Sequence, residues 1–381
     1  MDAQAAFLER RELFDNVIEF KHNKRVPLFS NFWTWKILDA GYRVDDALSD
    51  YDLLEKINCD FHELYQFDAY IEAGFRNPMR VAAALGGGFH YVDESGELLL
   101  IDDHSVLFAD EYLEYVDDIL AFNWSKILKR TARPGLTLGE LKNAVFEFIN
   151  FGTFVGKMAE KFVGEYGAYF PQNNDGMMFI PLDTFFVGLS GMRQLAVDLV
   201  RDKGVVKEAV DTLFDKTIQP ILDNAPNLNN QGCIAAMGSV LFAHSMLSTK
   251  NFEDLYWVHL KKIIDTAIAN NHKMFIFCES SMLRFAEFFE DIPKGVLVIH
   301  PEQDDIFEFR KRLPNIAIAG GMPTNLLGYA TPKECVDYAK HLIDELGEGY
   351  IFSQDKMMSY RNDATRENLL AVNDFVRGYE Y

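Results

Sequence analysis

No apolar run in this chain of 381 residues approaches the length of a bilayer, and no basic segment leads into one at its start. Neither a membrane span nor a cleaved leader is therefore expected, and the protein is read as cytoplasmic. Cysteine is scarce. Cys59, Cys233, Cys278 and Cys335 lie far apart with no CxxC pair, which excludes a disulfide framework and fits a reducing compartment. Positive charge is also in deficit: 37 Lys and Arg against 58 Asp and Glu leave a net charge of −21. That balance argues against a nucleic-acid surface, where phosphates must be met by clustered cations. There is no internal repeat, low-complexity tract or Pro/Ser-rich linker, so one domain over 1–381 is expected. The "LGGGF" at 85–89 lacks the Lys-Ser/Thr of a phosphate loop, and no GxGxxG follows a first strand.

What the chain does have is a large apolar fraction, 49%, and 32 phenylalanines. Most of these belong in a core, and a surplus could line a pocket for a flat organic ligand. Residues 3–22 have helical spacing, within an N-terminal helical extension over 1–24. "RVPLFSN" (25–31) and "FDAYIE" (67–72) are strand candidates, and 88–101 reads as a hairpin insertion turning at Glu94-Ser95-Gly96. Helical periods run over 136–166, 190–222 and 252–270. Strands at 274–279, 296–300, 315–320 and 350–353 then alternate with helices at 304–313, 332–346 and 365–379. Short apolar strands separated by helices imply parallel βαβ units. Further candidates near 28, 69, 180 and 236 bring the count to eight, so an α/β fold closed as a (β/α)8 TIM-type barrel is predicted.

Active sites in such barrels lie at the C-terminal strand ends. "MFIFCESS" (274–281) reaches Glu279 and "GVLVIHPEQDD" (295–305) reaches His300, with twenty residues between them. Both are zinc ligands, and a catalytic zinc takes three protein ligands and keeps one position open. Asp304 and Asp305 could add a ligand or orient the imidazole. The competing reading makes Glu279 a helix cap and His300 a satisfied strand-end residue. Cys278, one residue from Glu279, should point the other way into packing, since strand side chains alternate. His90, His104 and His244 show no partner in the sequence, and His259 and His272, on or just after an amphipathic helix, are read as solvated or capping.

The stretches "NFEDLYWVHLKKIIDTAIANNHKMFIFCES", "NIAIAGGMPTNLLGYATPKECVDYAKHLIDELGEGYIFS", "ATRENLLAVNDFV" and "LSGMRQLAVDL" resemble the uroporphyrinogen decarboxylase superfamily, whose fold is a β/α barrel. The decarboxylase itself carries an Arg-rich stretch after its first strand; here "VPLFSNFWTWKILDAG" has none. The corrinoid:thiol methyltransferases of the superfamily hold zinc by His-x-Cys, and this chain has Ile276 where that His would stand. The interval from Glu279 to His300 is instead similar to that of the corrinoid-dependent O-demethylase methyltransferases of anaerobic bacteria. That resemblance implies a methyl transfer from a methoxylated aromatic to the Co(I) of a corrinoid protein, with zinc activating the ether oxygen. It implies metal ligands Glu279 and His300, the third falling at Ile264 with Asp265 the nearest acid. Phe29, Asn31, Trp33, Tyr70 and Tyr169 are the pocket candidates. The alternatives are methyl transfer from a methylcorrinoid to a thiol or folate, and a non-catalytic barrel that binds a tetrapyrrole or corrinoid.

Overall fold

The computed structural model describes residues 2–102 and 104–381. The strands that form the barrel are β1 (Phe29–Ser30), β2 (Ala69–Tyr70), β5 (Phe170–Gln172), β6 (Cys233–Ala235), β7 (Met237–Leu241), β8 (Met274–Cys278), β9 (Leu297–Pro301), β10 (Ala317–Met322) and β11 (Tyr350–Gln354). Parallel ladders join β7 through β11 in sequence order, and β1–β2 and β5–β6 are parallel as well. Single parallel bridges, Ala69 to Tyr169 and Leu28 to Phe352, connect β2 to β5 and β11 back to β1. β6 and β7 are two halves of one strand bent at Ala236, the first paired with β5 and the second with β8. Eight parallel positions thus follow one another around a ring, as a β/α barrel requires. The antiparallel hairpin of β3 (His90–Val92) and β4 (Leu99–Ile101) lies in the long β2–β5 connection, in the predicted place.

One expected strand is in the wrong place. Residues near 180 form no strand; Ile180 precedes the short helix Pro181–Thr184, with proline at its first position. The third barrel strand is β5, at Phe170-Pro171-Gln172, where the proline disguises a strand by removing one ladder donor.

Side-chain alternation divides the core in two. Phe29, Ala69, Phe275, Val298, Ala319 and Ile351 fill the barrel interior. Ile276, Cys278, Ile299, Ile318 and Phe352 face the surrounding helices. The N-terminal ends of the strands are closed by the helix Ala3–Ile18, which buries Phe14, Val17 and Ile18 against the interior group. With that end covered by the helix, the polar groups facing the barrel interior collect at the other end.

Candidate active site at the barrel mouth

β8 and β9 end side by side, with Phe277 level with His300. Phe277 points inward and stacks on the imidazole at 4.7 Å between centroids. Two residues further, on the same face, are Glu279 and Glu302. The ladder is extended by the Glu302 amide, which donates to the Cys278 carbonyl at 3.1 Å. Ser280 takes a left-handed backbone (φ 68°), uncommon for a non-glycine residue, and so turns its amide onto the Glu302 carboxylate at 3.2 Å. This turn fixes two carboxyls at neighbouring strand ends.

Burial and the field of Glu302 push the Glu279 carboxyl up to about 7, against the opposing pull of Arg76. Burial raises Glu302 and Asp355 too. Asp183 is likewise raised to about 7 by complete burial; it accepts from the Tyr256 hydroxyl and from the Phe242 and Ala243 amides, and so braces the turn after β7. His300 lies below the carboxyls and is fully buried, which lowers its pKa to about 4 and keeps it neutral. Its Nε2 faces the Gln354 carbonyl at 3.0 Å and the Asn31 side-chain amide at 3.5 Å. His300 Nδ1, Asn31 Oδ1 and Ser353 Oγ are buried without a hydrogen-bond partner among the described residues, a polar floor beneath the carboxyl pair.

The predicted pocket residues separate. Asn31 is in the floor, its amide donating to Gln354 Oε1 at 3.1 Å. Phe29 is fully buried one step deeper, edge-on to His300 at 6.4 Å. Trp33 stands at the rim, stacked on Phe75, bonded to Asn77 and covered by the Arg76 guanidinium. Tyr70 is not at the mouth: its ring packs outward among Phe61, Phe67 and Phe162, and its hydroxyl meets His62 and the Phe67 amide. Tyr169 is at the sealed end, stacked on Phe7.

The predicted zinc set does not assemble either. Asp265 sits on the exposed side of the helix Val258–Ala269, paired with Lys261 one turn away. Ile264, the position at the expected interval, is fully buried in the outer core. Asp304 accepts from Ser281, Met282 and Leu283, while Asp305 caps the helix Ile306–Arg312. Among the described residues no three His, Cys, Asp or Glu side chains come together in a set able to hold a metal ion. A zinc with three protein ligands therefore does not fit this site, and no chemical step is derived through it. Cys278 points outward, as expected, with its thiol directed at the Met282 sulfur.

Sequence reasoning missed Glu302, Asp355, Gln354 and Arg76. Glu302 carried a usable signal, since it stands two residues after His300 and so shares its face. Arg76 carried none, because it reaches the mouth from the loop after β2. One space adjoins the carboxyl pair at Glu302 and a second lies beyond the rim. A cleft of about 620 Å³ is lined by Glu302, Tyr338, Asp355 and Lys356. An apolar slot of about 260 Å³, between Met79, Leu85, Phe89, His90 and Ile127, shares Asn77 with the rim.

Residues 190–379 match the family described as uroporphyrinogen decarboxylase (URO-D). No curated protein matches the sequence. Among solved structures, the fold is similar to that of a methyltransferase from Methanosarcina mazei, at 13% identity and a TM-score of 0.59, over 97% of this chain and 98% of that one.

Proposed function

Residues 190–379 belong to the uroporphyrinogen decarboxylase superfamily, and from that premise we propose that the chain is a methyltransferase. It takes the methyl group of a methoxylated aromatic and passes it to the Co(I) corrinoid of a partner protein. The observation that carries this reading is the Glu279–Glu302 pair, in which Glu279 keeps its proton up to about 7. An aryl methyl ether resists cleavage because phenolate leaves poorly, and a proton delivered to the oxygen as the bond breaks lowers that barrier. Glu279 holds such a proton near neutrality. The methyl C–O bond breaks with its electron pair going to oxygen, and that oxygen takes the Glu279 proton. The methyl carbon is bonded by an incoming two-electron nucleophile, which the corrinoid supplies when the partner docks. The products are a phenol and the methylated acceptor, and Glu279 regains its proton from solvent.

The surroundings support the assignment. The Trp33–Phe75 stack and the adjoining slot offer an aromatic ring flat apolar walls. The cation-poor first strand end suits a ligand without many carboxylates, which speaks against a porphyrinogen. The resemblance in fold to a protein described as a methyltransferase points the same way.

The test uses purified chain, a reduced corrinoid protein and a panel of methoxylated benzenes, with phenol release followed by chromatography. The wild type should turn over at least one panel member, with kcat level below pH 7 and falling as pH rises through it. Glu279→Gln should lower kcat by about 100- to 10,000-fold, the usual range for losing a general acid. No phenol from any substrate, or full activity in Glu279→Gln, overturns the proposal.

A further inference from the structure

The helix Leu138–Tyr166 is 29 residues long and packs on one side only, burying Ala144, Phe154, Met158 and Phe162. At 100° per residue, positions 142, 146, 149, 153, 156 and 160 line the opposite side. Their alternating spacing of four and three is the seam along which two helices wrap around each other. The first half of this seam is bulky: Phe146 and Ile149, with Leu138 and Val145 along its edge, are each more than half exposed. The second half is bare. Nothing lies within 4 Å of where a Cβ would stand at Gly152 or Gly156, so no contact inside the chain requires glycine there. Glycine is also a poor residue for a helix interior. Two glycines four residues apart form a notch in which another helix backbone can approach closely. Lys142 and Glu160, on the same side, have no ion-pair partner among the described residues; Lys142 only covers the Phe146 ring.

We propose that this helix pairs antiparallel with the same helix of a second copy, about a two-fold axis crossing near residue 151. Residues symmetric about that point then face each other. Phe146 enters the notch at Gly156 of the other copy, Ile149 meets Thr153, and Lys142 meets Glu160 at both ends. A parallel pair would set glycine on glycine and Lys142 on Lys142. Bulk and charge both select the antiparallel arrangement, and the chain itself carries the two complementary halves. Such an isologous contact is the usual basis of a closed dimer.

The experiment is sedimentation equilibrium on the full chain at 0.15 M salt. Wild type should form a species of twice 43.6 kDa at tens of micromolar. Lys142→Glu and Glu160→Lys should each weaken the dimer at least tenfold, and the double exchange should restore it. Gly156→Leu should abolish the dimer without lowering the melting temperature measured at submicromolar concentration, where both proteins are monomeric, since its side chain enters open space in the single copy. A wild type that stays monomeric at about 100 µM overturns the proposal. So does a dimer indifferent to Gly156→Leu, or single charge reversals that the double exchange fails to rescue.

Discussion

Glu279 serves the proposed chemistry at the expense of the fold. Its folded pKa of about 7 stands above the 4.5 of an unburied glutamate. Below about pH 4.5 both folded and unfolded chains hold the proton, and burial carries no ionic penalty. As pH rises from 4.5 to 7 the unfolded chain ionises first, so stability is lost, and above 7 the loss is complete. Glu279→Gln is neutral at every pH. It should raise stability at pH 8 by about 3 kcal/mol, with the gain vanishing near pH 4.5. Urea titrations at the two pH values check this, and a variant less stable than wild type at pH 8 would contradict the pKa argument. The residues legible in advance share one signature, an apolar burst ending on a functional group, as at Glu279 and His300. Tyr70 misled because β2 has only two residues in the ladder, Ala69 inward and Tyr70 outward. Alternation over two residues leaves no pattern from which to read the inner face.

Elements follow the same logic. β8 to β11 were legible because each is an apolar run of five or six residues between amphipathic helices. β5 was not, because Pro171 breaks the strand pattern and the apolar run "MMFIP" nearby imitates one. The role of the N-terminal helix was also hidden, since its spacing shows amphipathicity but not what it covers. The structure ties it down through Asp68, which precedes β2 and is almost wholly buried. Burial disfavours the Asp68 carboxylate, but the Arg25 and Arg10 guanidiniums outweigh it, and its pKa is lowered. Arg25 donates at 2.7 and 3.0 Å, Arg10 at 3.1 Å and the Leu28 amide at 2.8 Å, so helix, β1 and β2 meet on one carboxylate. Asp68→Asn would leave Arg10 without its counter-charge and Arg25 with Glu9 alone at the sealed end. Breaking a buried pair in this way costs about 3–5 kcal/mol, far more than the about 0–1 kcal/mol of an exposed one. The denaturation midpoint should fall accordingly, while KM at the distant mouth stays near the wild-type value. An unchanged midpoint would mean that the helix is held by its apolar face alone.

At the scale of the whole molecule the dominant fact is charge. A net −21 is spread over one closed barrel, and its self-repulsion favours expansion of the compact state. Local ion pairs oppose this, but many are exposed, as Lys333–Asp337 and Lys24–Glu380 are, and such pairs contribute little individually. Added salt screens both effects. Raising it at pH 8 from about 20 mM to about 500 mM shortens the screening length from roughly 20 Å to roughly 4 Å. Contact pairs at about 3 Å keep much of their attraction over that change, whereas repulsion across the molecular diameter is removed. The melting temperature should therefore rise with salt at pH 8, and by the same argument salt should tighten the proposed dimer of two acidic copies. The rise should shrink towards pH 4.8, the pI of the sequence, where no net charge remains to screen. Melting curves across the salt series at both pH values decide the matter. A melting temperature that falls with salt at pH 8 would mean that specific ion pairs, rather than net charge, govern the stability of this barrel.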